Sequence, residues 1–115
     1  MPRRAHLIGA LLIAAIALGG CGAPQPQPPT SQANVLSQSL TAIAADCGES
    51  YQGGPSPTLE ADATRQGAEL AMVFRRNPGW IYQGATVAQI VSNSVSYLDD
   101  CQLRAAARAL ESETA

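Results

Sequence analysis

A chain of 115 residues with seven arginines, nine acids and no lysine carries a formal charge of −2 and has room for one small domain. With the basic leader set aside, five arginines face nine acids, a side-chain charge of −4 that offers no footprint for nucleic acid. The sole histidine, His6, lies in that leader, so the remainder has no imidazole for acid–base or metal chemistry and no lysine for a Schiff base.

Arg3 and Arg4 precede an uncharged apolar run from Leu7 to Leu18. Crossing a bilayer takes roughly 20 apolar residues, and a run this short has the length of the apolar part of a signal peptide. It ends in Leu18-Gly19-Gly20-Cys21, a leucine three before a cysteine with small residues between. That tetrad resembles the lipobox of bacterial lipoprotein precursors, and the resemblance covers only the first 21 residues. It implies cleavage before Cys21, diacylglycerol on the Cys21 thiol and palmitate-type acylation of the new amino group in many bacteria. No cofactor beyond these acyl chains is expected. The membrane is then a partner through the lipid, on the extracytoplasmic face of the cell membrane or at the outer membrane. Gly22 stands where many inner-membrane lipoproteins carry aspartate, which by the same analogy favours the outer membrane in a host that has two.

Residues 21–30 are rich in proline and glutamine. Alternating prolines forbid a helix and favour polyproline II at about 3.1 Å per residue, so Ala23 to Thr30 are expected to be a spacer of about 25 Å. Its other reading, a docking peptide, has only proline density behind it.

Residues 31–115 are expected to form an all-α domain, a three-helix bundle. The first helix spans 31–47, with Leu36, Leu40, Ile43 and Cys47 on one face, Thr30 or Ser31 as cap and Gly48 as stop. Ser56-Pro57 opens the second, with Glu60 and Asp62 near the positive end of its dipole. Its stripe is Leu59, Ala63, Leu70, Val73 and Phe74; Gly67 permits close approach, Arg75 and Arg76 suit the last turn, and Asn77-Pro78-Gly79 stops it. Thr86-x-x-Gln89 is a capping box for the third, whose inner face is Val87, Ile90, Val91, Val95, Leu98, Cys101 and Ala105. This helix either continues to Leu110 or bends near Asp99-Asp100.

Running up, down, up makes the first and third helices parallel. Cys47 and Cys101 then sit at nearly the same height, on apolar faces, because each lies a similar number of residues from its helix start. With Cys21 taken by lipid in an oxidising compartment, a Cys47–Cys101 disulfide is the one intrachain pairing left. Free reactive thiols, the rival reading, have no C-x-x-C and no base beside them. The core is alanine-rich and of a size that contributes about 3–5 kcal/mol unaided, so a staple is expected.

No phosphate loop, calcium loop or metal spacing is present, and Asp99 and Asp100 diverge by about 100° on a helix, so no catalytic or metal residues are expected. Trp80 and Tyr82, between the second and third helices, are the candidate interaction residues, since aromatics dominate binding hot spots. The expected division is Trp80 and Ile81 plugging the bundle and Tyr82 outside, with Tyr51 a weaker candidate of the same kind. The leading functional expectation is a lipid-tethered module that binds an envelope protein. Alternatives are a carrier of small apolar ligands in a helical cavity, and an acid- or stress-responsive helper similar in layout to small disulfide-linked periplasmic chaperones of the HdeA type.

Overall fold

The computed structural model describes residues 26–115; the leader, Cys21 and the first half of the proline-rich segment lie outside the described residues. Four helices and one two-stranded hairpin follow in the order α1 (Thr30–Gly53), α2 (Pro57–Arg76), β1 (Ile81–Tyr82), β2 (Ala85–Thr86), α3 (Val87–Asp100) and α4 (Arg104–Glu113). The fold is the expected helical bundle, with the third helix split.

Pro29, in polyproline geometry, leads into α1 without a side-chain cap, so neither Thr30 nor Ser31 takes that role. The helix also runs through Gly48, where a stop was expected. A helical glycine costs about 1 kcal/mol relative to alanine. Two bonds hold the extra turn: Cys47 is linked to Cys101, and the Ser50 hydroxyl donates to the Cys101 carbonyl at 2.6 Å. Gly54, at φ 87°, ends the helix instead, its N–H donating to the Ser50 carbonyl at 2.8 Å.

The start of α2 is as its sequence indicates: the Ser56 hydroxyl accepts from the Leu59 N–H at 3.1 Å, with Pro57 in the first turn. The α3 capping box is complete, Gln89 N–H to Thr86 Oγ1 at 3.0 Å and Thr86 N–H to Gln89 Oε1 at 2.8 Å. Helix α3 then stops at Asp100 in a Schellman turn. Leu103 N–H donates to the Leu98 carbonyl at 2.9 Å and Gln102 N–H to the Asp99 carbonyl at 3.0 Å, while Leu98 and Leu103 are both buried. Gln102 holds the left-handed position, φ 70°, where glycine is usual.

The break resets the helical phase. Ala105, expected inside, is exposed, and Ala106, Ala107 and Leu110 take the buried face. Helix α4 has no side-chain cap of its own; Glu60 of α2 supplies one, accepting from the Ala106 N–H at 3.0 Å and more weakly from Ala105 at 3.4 Å. Glu60, expected to serve only the dipole of α2, thus also serves the start of α4.

Helix α2 is the central element, packed against α1 on one side and α4 on the other, and α4 closes back onto α3. Gly67 is where α2 meets α4: a Cβ built there would lie 3.6 Å from that of Leu110. The core is Leu36, Ile43, Leu70, Val73, Val87, Val91, Leu98, Leu103 and Leu110, packed with alanines and the disulfide. Helices α1 and α3 touch each other sparingly, and the Cys47–Cys101 bond, with Cα atoms 5.4 Å apart, ties them together. Closing a loop across 54 residues contributes about 4 kcal/mol in the chain-entropy treatment, comparable to the apolar core.

Candidate functional site

The hairpin places the two aromatic candidates. Gln83 (φ 51°) and Gly84 (φ 85°) form its two-residue turn, both in the left-handed region that such turns require. Ile81 pairs with Thr86 and Tyr82 with Ala85. The loop closes onto α3, whose first amides donate outward: Val87 N–H to the Trp80 carbonyl at 2.8 Å and Ala88 N–H to the Pro78 carbonyl at 2.9 Å.

Side chains alternate along a strand, so Ile81 and Tyr82 of β1 take opposite faces. Trp80 and Tyr82 are both half-buried against the core. Ile81 is half-buried too, but outside the core cluster. The expected division is therefore reversed for two residues: Tyr82 packs inward, and Ile81 turns toward the proline-rich segment. Its N–H donates to the Pro26 carbonyl at 2.8 Å. Gln27, Pro28 and Ala33 face Ile81, Tyr82, Gln83 and Gly84 across an open groove of about 500 Å³. The segment expected to be a free spacer is, from Pro26 onward, part of the domain surface.

The charged and aromatic surroundings differ between the two ends of the bundle. At the hairpin end lie the start of α1, the end of α2 with exposed Arg75 and Arg76, and the end of α4, where Glu113 approaches Arg75 at 3.8 Å. At the other end lie the last turns of α1 and α3, the first two turns of α2 and the start of α4, bearing Asp46, Glu49, Glu60, Asp62, Asp99 and Asp100, with Arg65 on Asp62 and Arg108 on Asp99. Tyr51, also at this end, is 63% exposed.

Two features were not singled out in the sequence. A second, open groove of about 340 Å³ runs between α1 and α3, lined by Leu40, Ile43, Ile90, Asn93, Ser94 and Tyr97. The other is Asp46. It is 6% exposed, its Oδ2 has no hydrogen-bond partner, and its pKa is pushed up to about 7. Burial is the main cause, followed by the hydrogen bond to Asp62 and repulsion from Asp62 and Glu49, with Arg65 opposing. Two carboxyls can share a hydrogen bond only when one holds a proton, so the pair favours the protonated form. A parallel stripe one step from the apolar one, Ser39, Ile43, Asp46 and Ser50, carries the signal in the sequence, and all four are buried.

Neither Asp46 nor Asp62 lines either of the two grooves. Among the described residues no group of three or more His, Cys, Asp or Glu side chains could hold a metal ion, and no helix is long and apolar enough to cross a membrane. No protein family, curated protein or solved structure matches this chain.

Proposed function

We propose that the chain is a lipid-anchored protein of an extracytoplasmic membrane face, whose helical domain is a non-catalytic interaction module with the Trp80–Tyr82 hairpin as its contact end. The observation that carries this reading is the Cys47–Cys101 disulfide. Such bonds persist outside the reducing cytoplasm, and this one leaves Cys21, at the end of a lipobox-like leader, as the one remaining thiol of the chain's three. Two acyl chains at Cys21 suffice for stable anchoring.

The other readings draw less support. An apolar ligand is best held where most of its surface is enclosed, and the grooves described here open to solvent. Acid-triggered opening needs stability to fall as pH falls, and the raised pKa of Asp46 acts in the opposite sense between about 4 and 7.

The test is Cys21→Ala in the full chain. The variant should leave the membrane fraction and appear as a soluble protein with unchanged helical circular dichroism and an intact disulfide. Retention in the membrane fraction would remove the lipid anchor from the proposal.

A further inference from the structure

We infer that the hairpin end of the bundle rests on the lipid surface, with Trp80 at the depth of the headgroups and the acidic end directed away from the membrane. This rests on the lipid-anchor reading above and names the partner of the same contact end. The first argument is reach. Only Gly22 to Gln25 separate the lipidated residue from Pro26, and the five steps from Cys21 to Pro26 reach at most about 18 Å. Pro26 is fixed to Ile81 by a 2.8 Å hydrogen bond, so the short tether ends on the hairpin itself. The domain therefore cannot turn its hairpin far from the bilayer while that bond holds.

The second argument is the chemistry of that end. Tryptophan and tyrosine are enriched at membrane–water interfaces, where an apolar ring carries a polar edge, and Trp80 and Tyr82 are both partly open to solvent. Arg76, exposed beside them, suits anionic headgroups, while Arg75 is paired with Glu113. The third argument is charge polarity. Asp46, Glu49, Glu60, Asp62, Asp99 and Asp100 at the opposite end outnumber Arg65, Arg104 and Arg108 there, whereas Arg75 and Arg76 at the hairpin end match Glu111 and Glu113, so the orientation that the tether imposes also turns the more acidic end away from anionic lipid.

Trp80 is the sole tryptophan of the chain, which makes its fluorescence a direct probe. The full chain, expressed with its leader and purified from membranes, is reconstituted into phosphatidylethanolamine–phosphatidylglycerol vesicles, and flotation is scored first. Trp80 emission is then measured against lipids carrying a nitroxide on the headgroup, lipids carrying one at mid-chain, and aqueous iodide. Strong quenching by the headgroup label, weak quenching by the mid-chain label and shielding from iodide are expected. A long Gly-Ser insertion between Ala23 and Pro24 should abolish most of the headgroup quenching while the protein still floats. Flotation with Trp80 open to iodide and untouched by either lipid label would overturn the orientation but leave the anchor standing. Shielding from iodide without lipid quenching, accompanied by hairpin crosslinks to another protein, would overturn it in favour of a protein partner. Failure to float would overturn both readings.

Discussion

Replacing Asp46 by asparagine keeps the size of the side chain and a donor toward Asp62 while removing the charge. The Asp46 pKa rises from an ordinary 3.8 to about 7 in the folded protein, so the folded state holds a proton that the unfolded state has released throughout that window. Stability is then greatest below about pH 4 and declines as pH climbs through 7. Three units at about 1.4 kcal/mol each set a ceiling near 4 kcal/mol. The pair is reached by solvent on the Asp62 side, which is 29% exposed, and Arg65 bonds to Asp62 there. Halving the ceiling for that screening leaves about 2 kcal/mol. Asp46→Asn should therefore be more stable than the parent by about 2 kcal/mol at pH 8, by less than half of that at pH 5, and nearly equal to it only below about pH 4. Urea unfolding followed by circular dichroism across that range reads both numbers, with a midpoint shift of about 1–2 M at pH 8. A variant with the same pH slope as the parent, or one destabilised at pH 8, would refute the assignment of the protonated carboxyl to Asp46.

Glu60→Ala removes the acceptor for the first amides of α4 and should cost about 1–2 kcal/mol, with faster hydrogen exchange at Ala105 and Ala106; unchanged exchange there would mean water caps the helix equally well. Gln102→Gly relieves a left-handed backbone and should raise stability by about 0.5–1 kcal/mol in thermal or urea unfolding, whereas a loss would show that the Gln102 side chain contributes contacts of its own.

Much of the architecture was legible because its signals are local or covalent. Ser56-Pro57 and Thr86-x-x-Gln89 mark their helix starts with side chains that bond within three residues. The pairing of Cys47 with Cys101 followed from helical phase and from the parallel course of two helices. What escaped depends on partners distant in the chain or on a residue type used atypically. The split of the third helix was one of two readings left open, because its turn places glutamine where glycine would have been read as a stop. The hairpin strands are two residues long, too short for an alternating pattern to register. Glu60 reaches across 46 positions to cap α4, and nothing near it in the sequence shows that. Gly48 reads as a terminator in the sequence because the bonds that carry α1 past it come from Cys101. For the contact end, Trp80 and Tyr82 stood out by residue type. The docking of Pro26 on Ile81, which turns a spacer into surface, had no signature beyond proline density.

The covalent ring from Cys47 to Cys101 encloses both tight connections that a protease would find first, the loop at 54–56 and the hairpin turn at Gln83-Gly84. A single cut at either place leaves both fragments joined through sulfur, so under the anchor proposed for Cys21 both would stay on the membrane. Severing the domain from that proposed anchor would require a cut before Cys47. Nicking elsewhere in the ring damages the protein without shedding it.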